Sequence, residues 1–195
     1  MPRLILASTS PYRRELLGRL RLPFETLSPG VDEAPRPGEA AADLVLRLAR
    51  EKAAAIAARA PDALVIGADQ VAVLDGIPLS KPETHDNAVV QLRAMRGRCI
   101  SFLTAVAVSH GATGATVARL VPTDVHFRAF DDATIEAYLR AEQPYDCAGS
   151  AKIEALGIAL VRRLDGTDPT ALIGLPLIAL VDLLAEFGVS PLAPA

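Results

Sequence analysis

The stretch that most constrains the fold is the N-terminal run Leu4-Ile5-Leu6-Ala7-Ser8-Thr9-Ser10-Pro11-Tyr12-Arg13-Arg14-Glu15-Leu16-Leu17. Its short apolar start reads as a buried strand and its hydroxyl-rich middle as a turn. Ser10 is a good helix N-cap and Pro11 a good first helical residue. Strand, tight turn and helix N-terminus together aim free backbone N–H groups and the positive dipole end at one point, which suits a phosphate. Arg13 and Arg14 fall in the first helical turn, where cations are normally unfavourable. Alone they read as two solvated arginines. Beside Ser8 and Ser10 they read better as an anion site, with the group held between the turn and both guanidiniums.

At 195 residues and 51% hydrophobic content the chain can bury a sizeable core, as one domain with two lobes around a cleft. Net charge is -3 with no basic block, which argues against a nucleic-acid polymer as partner. No apolar run reaches membrane-spanning length, and the N-terminus does not read as a signal peptide. Cys99 and Cys147 match no metal or redox spacing. A reduced, cytoplasmic protein is the expectation. Of the basic residues only Lys52, Lys81 and Lys152 are lysine. Either a chain that otherwise uses arginine keeps lysine where a compact ammonium is needed, or codon bias has left three at random.

Strands are expected at 24–27, 63–66 (ending in Gly67-Ala68-Asp69-Gln70), 71–74 (continuing extended), 77–79, 100–109, 116–127 and 158–164. Asp75-Gly76 is a hairpin signal. Helices are expected at 40–60, at 85–95 capped by Thr84, from Asp131 to about 141, and at 175–187 ending before Gly188. The segment 147–154 reads as a loop or short strand, and 190–195 as a frayed tail. Strands and helices alternate early and long hairpins follow, so the class is α/β with a mixed sheet. Lys52 lies on the apolar stripe Val45, Leu48, Ala49, Ala53, Ile56. There it either reaches a partner or wet cleft, or snorkels at the stripe's edge.

Asp69 stands between two apolar runs, either as an ordinary turn aspartate or as a carboxylate buried at real cost. Glu33, in the Pro-rich loop 28–38, is a possible second carboxylate. Two carboxylates plus a triphosphate make a plausible Mg²⁺ site. Arg13, Arg14, Lys52 and Lys81 could supply countercharge to the phosphates. There is no Walker A motif, G-x-G-x-x-G, G-x-S-x-G or H-E-x-x-H, and the three histidines have no ligand spacing.

Taken in order, these motifs resemble the Maf family of nucleoside triphosphate pyrophosphatases. The matching stretches are Ser8-Thr9-Ser10-Pro11-x-Arg13-Arg14, Val31-Asp32-Glu33, Glu51-Lys52-Ala53, Gly67-Ala68-Asp69 and Lys81-Pro82. Ser80 stands where the family usually has Gly before Lys-Pro. The resemblance implies a single Maf-like domain over 1–195, a mixed twisted sheet in two lobes of the inosine-triphosphatase type, and a homodimer. It also implies Asp69 as proton acceptor and a divalent cation (Mg, Mn or Co) held by Glu33 and Asp69. Phosphates would meet Ser8, Ser10, Arg13, Arg14, Lys52 and Lys81.

Within the family, Tyr12, Gln70 and Glu154 depart from the dTTP- and UTP-cleaving members. With Cys147-Ala148-Gly149-Ser150 and Gly174-Leu175-Pro176-Leu177 they resemble the members that hydrolyse N7-methyl-GTP, in which Trp commonly stands at the position of Tyr12. N7-methylguanine is cationic, so an aromatic face attracts it and a carboxylate can accept from its N–H edge. Without the family match, Tyr12 and Glu154 would read as surface residues. The alternatives are the same chemistry on dTTP, UTP or another noncanonical nucleotide, and a non-catalytic nucleotide-binding regulator of cell division.

Overall fold

A computed structural model describes residues 2–192, so residues 193–195 of the expected C-terminal tail lie outside the described residues. The strands are β1 (Arg3–Ala7), β2 (Glu25–Leu27), β3 (Ala63–Leu74), β4 (Ile77–Leu79), β5 (Cys99–His110), β6 (Thr116–Phe127) and β7 (Val161–Gly166). The helices are α1 (Pro11–Gly18), α2 (Ala41–Ala57), α3 (His85–Met95), α4 (Asp132–Glu142) and α5 (Leu177–Ala185). The sheet runs β2-β1-β3-β5-β6-β7, with β4 paired to β3. The β2, β1 and β3 strands are parallel, while the β3–β4 and β6–β7 pairs are antiparallel. The expected mixed α/β class is what forms.

The chain divides into two compact units. The first comprises 1–70, 104–121 and 168–195; the second comprises 71–103 and 122–167. In the first, one face of the sheet carries Leu4, Leu6, Leu64, Ile66, Val106 and Val108. They pack with Leu16 and Leu17 of α1 and Leu180, Leu183 and Leu184 of α5. The residues between them on β1 and β3, such as Ile5 and Val65, are also fully buried. Both faces are therefore covered, which is why β1 reads as a continuous apolar run without alternation.

The strand expected to end in residues 67–70 does not end there, since β3 runs unbroken from Ala63 to Leu74. A Cβ at Gly67 would collide with the Ala49 carbonyl and the Ala53 nitrogen of α2. This glycine is a close-approach residue inside a strand. The Asp75-Gly76 turn forms as expected, with both residues at positive φ (52° and 80°), and returns β4 along β3. Ser10, Thr84 and Asp131 each cap their helix through the side chain.

In the second unit α3 packs on α4. The segment read as loop or short strand is a 3₁₀ turn over Ala148–Ser150, with Gly149 and Ser150 both at positive φ. The strand expected from Ile158 starts only at Val161, because Leu156–Leu160 forms a further 3₁₀ turn. No helix among the described residues is long and apolar enough to cross a membrane.

Candidate active site

Strand alternation makes the two neighbours at the centre of the site face different partners. Gly67 and Asp69 share the β3 face that meets α2, where Lys52 lies. Ala68 and Gln70 share the opposite face with Leu64 and Ile66. Leu6 pairs with Ile66, so the turn after Ala7 leaves the sheet at the level where β3 reaches Asp69.

Lys52 is 4% exposed and Asp69 8%. The Lys52 Nζ donates to Asp69 Oδ1 at 2.7 Å and lies 2.8 Å from Glu33 Oε1. Of the two readings open to this lysine, the structure takes the buried, partnered one. Burial raises the Asp69 carboxyl above its ordinary range, with Glu33 adding to that, while Lys52 and Arg13 oppose it. A carboxyl so placed is a better base than an ordinary aspartate. Glu33 is exposed, on a loop tied to α2. Arg47 donates to Glu39 through Nε (2.6 Å) and Nη2 (2.7 Å) and to the Ala34 carbonyl at 3.1 Å, while Arg36 reaches Glu51 at 3.0 Å.

No cluster of three or more His, Cys, Asp or Glu side chains among the described residues could hold a metal ion. Glu33 and Asp69 nonetheless already converge on a cation, the Lys52 ammonium. Mg²⁺ needs only one or two carboxylates when phosphate and water oxygens complete its shell. The pair therefore fits a divalent ion that arrives with a phosphate, and does not form an all-protein cage.

The two arginines of α1 diverge, as successive helical residues about 100° apart must. Arg13 is half-buried and its Nε donates to the Gly174 carbonyl at 2.9 Å. Burial pulls its pKa down, and the nearby charges of Asp69 and Glu33 oppose that. Arg14 is exposed and lines a pocket of about 460 Å³ with Ser8, Thr9, Ser10, Phe24 and Thr26. Ser8 Oγ accepts from the Ser10 N–H at 3.1 Å, and Ser10 Oγ accepts from the Arg13 N–H at 3.4 Å. Both hydroxyl protons stay available to an incoming anion. The expected single site thus becomes two settings: Ser8, Ser10 and Arg14 around the pocket, and Arg13 tied to Gly174 beside the carboxylates.

Gln70 is more constrained than expected. Its Nε2 is within hydrogen-bond distance of Thr104 Oγ1 (2.9 Å), the Ala171 carbonyl and the Leu172 carbonyl (3.0 Å each), so only its carbonyl oxygen is left for a substrate. Tyr12 is half-buried. In the second unit, Lys81 is exposed just after β4. Glu154 is also exposed, at the tip of a tight turn in which the Ala155 and Gly157 N–H groups both donate to the Lys152 carbonyl, at 3.1 and 2.9 Å. A Cβ at Gly157 would strike the Lys152 backbone, so this turn needs its glycine. Partial desolvation raises the Glu154 carboxyl above its ordinary range, and its own backbone N–H and Lys152 oppose that. Ser150 Oγ donates to Gln91 at 2.6 Å and the Lys152 N–H to the Tyr138 hydroxyl at 3.0 Å, fixing the segment that leads to it. The Cys147 thiol is pushed up to about 12, chiefly by burial, and so stays protonated.

Sequence reasoning missed Thr104 and Asp168, both buried. Asp168 accepts from the Thr170 N–H (2.9 Å) and hydroxyl (2.7 Å) and from the Ile178 N–H (2.7 Å), so it caps α5 from a distance. The Asp168-Pro169-Thr170 run carries an Asx-turn signal that could have marked it.

The family model described as Maf-like protein matches residues 3–187. The chain is 58% identical over 189 residues to a 7-methyl-GTP pyrophosphatase of Methylobacillus flagellatus, covering 97% of this chain and 98% of that protein. It is 58% identical over 190 residues to the protein of that name in Pseudomonas syringae pv. tomato (97% and 99%). It is 56% identical over 189 residues to the one in Pseudomonas aeruginosa (97% and 98%). Among solved structures, a HAM1 protein from Coxiella burnetii aligns at 15% identity and TM-score 0.47, over 67% of this chain and 75% of that one.

Proposed function

The chain belongs to the Maf family, and we propose that it is a nucleoside triphosphate pyrophosphatase that cleaves N7-methyl-GTP to N7-methyl-GMP and diphosphate. The observation that carries the chemistry is the buried Asp69, its carboxyl raised and one oxygen held by Lys52 at 2.7 Å. The substrate assignment is supported by relatives of that name at 56–58% identity over nearly the whole chain.

Water adds to the α-phosphorus, the bond from that phosphorus to the α–β bridging oxygen breaks, and diphosphate leaves with the bridging oxygen. Asp69 accepts the proton from water through the oxygen that Lys52 does not hold. Lys52 keeps the carboxylate in one orientation. Arg13, with Nε spent on Gly174, presents its remaining N–H groups to phosphate oxygens, and Ser8, Ser10, Arg14 and Lys81 add donors and countercharge. Asp69 and Glu33 would hold a divalent cation (Mg, Mn or Co), which when bound neutralises phosphate charge and lowers the pKa of a bound water. Tyr12 offers a face to the cationic base, and Glu154 an acceptor for its N–H edge.

The test is diphosphate release from N7-methyl-GTP, GTP, dTTP and UTP under one set of conditions. N7-methyl-GTP is expected to be hydrolysed most efficiently, with orthophosphate appearing only after inorganic pyrophosphatase is added. Direct orthophosphate release would refute the bond assignment. A preference for dTTP or UTP, or equal use of GTP, would refute the base assignment alone.

A further inference from the structure

Among the buried polar side chains that the reaction as proposed leaves unused are Thr104, at 0% exposure, and Asp168, at 3%. Both hold the same segment. The Thr104 hydroxyl donates to the Ala171 carbonyl at 2.9 Å and accepts from Gln70 Nε2 at 2.9 Å. Gln70 reaches on to the Ala171 and Leu172 carbonyls. That Nε2 has two hydrogens facing three oxygens, so the amide nitrogen is fully committed. Asp168 and Thr170 fix the ends, since Asp168 accepts from Ile178 and Thr170 Oγ1 accepts from the Leu177 N–H at 2.8 Å.

Two residues beyond Leu172 stands Gly174, at φ 121° and ψ 3°, a backbone shape that side-chain-bearing residues rarely take. Its carbonyl receives Arg13 Nε, and a Cβ there would lie 3.5 Å from that Nε. A continuous path of hydrogen bonds and three backbone residues therefore leads from β5 and β3 to the guanidinium beside Asp69.

We propose that Thr104 and Gln70 are positioning residues for Arg13. They lock the turn over Ala171–Ile173 so that the Gly174 carbonyl takes Arg13 Nε and turns the rest of the fork to the phosphates. Through Arg13 the amide nitrogen of Gln70 then acts on the phosphate end of the substrate, while its carbonyl oxygen stays open to the substrate. A fork held at Nε loses less freedom on binding than a free one, so loosening the turn is felt in turnover. The inference rests on the proposed phosphate role of Arg13.

The experiment is a double-mutant cycle on kcat/KM with N7-methyl-GTP and UTP, each variant checked for folding by its melting curve. Thr104→Val keeps shape but removes the hydroxyl, and about a tenfold loss is expected, by the same factor on both nucleotides. Thr104→Ser restores the hydroxyl and should recover most of it. In an Arg13→Ala background, Thr104→Val should cost little more, because its effect passes through the missing guanidinium. If Thr104→Val fails to fold, Gln70→Met serves in the same cycle, since it keeps length and removes the donor. A full, additive loss in the Arg13→Ala background, a wild-type rate for the single variant, or a loss confined to one nucleotide overturns the inference. If Arg13→Ala alone turns over normally, the phosphate role of Arg13 falls first.

Discussion

The residues proposed to meet phosphate and those proposed to meet the base are held in contrasting ways. Asp69, Lys52 and Arg13 are buried or half-buried and bonded to groups far away in sequence, from Lys52 to Asp69 and from Arg13 to Gly174. Glu154, in the second unit, is exposed at the tip of a turn closed by its own backbone. The first arrangement fixes atoms through the tertiary fold, so a lesion there should reach every substrate. The second fixes a loop tip locally, so a lesion there should change what is preferred and leave the fold and basic chemistry in place.

The comparison breaks most sharply at Asp69. Asp69→Asn keeps size and removes the base, and a loss of about 10²-fold or more is expected on every triphosphate. Diphosphate release across the panel checks this, and near-normal turnover would reduce Asp69 to a structural aspartate. Next come Tyr12 and Glu154. Glu154→Gln should lower kcat/KM for N7-methyl-GTP by about tenfold and barely touch UTP. Tyr12→Ala should cost roughly 1–2 kcal/mol in the same selective way, with Tyr12→Trp neutral or better. Equal losses on both nucleotides would erase the distinction between the two ends.

The smallest effect is expected at Glu39, which helps hold the Glu33 loop to α2. Its hydrogen bonds from the Arg47 side chain, and then from the Arg36 backbone, hold its carboxyl down to about 2. A carboxyl lowered in the folded state stabilises it above the unfolded pKa, and that contribution fades as pH falls through the folded value. Glu39→Gln should therefore lower the melting temperature slightly near neutrality. The gap to wild type should close as pH drops from about 4.5 toward 2, and a pH-independent gap would mean that the charge contributes nothing.

What the sequence made legible was what local chemistry decides. Ser10-Pro11, Thr84, Asp131 and Asp75-Gly76 act within a few residues, and each element starts or turns where those signals stand. The family motifs marked Asp69, Lys52 and Glu33, yet only the fold disclosed that the lysine lies between the two carboxylates. The Gln70 tether joins residues a hundred positions apart, and no spacing rule reaches that far. At Gly67, a glycine after an apolar run marks a strand end or a close approach equally well. Only the packing of Ala49 and Ala53 decides between them.

That same glycine has a consequence for how the protein can vary. The separation between the helix bearing Lys52 and the strand bearing Asp69 is set at Gly67 by the absence of a side chain, since even a methyl group would meet the α2 backbone. A helix backbone cannot step aside as a flexible side chain can, so the whole segment would have to move, and Lys52 with it. The ion pair's length is thus recorded at a position with no chemistry of its own. Two proteins that keep every reactive residue but differ at Gly67 would not share this site.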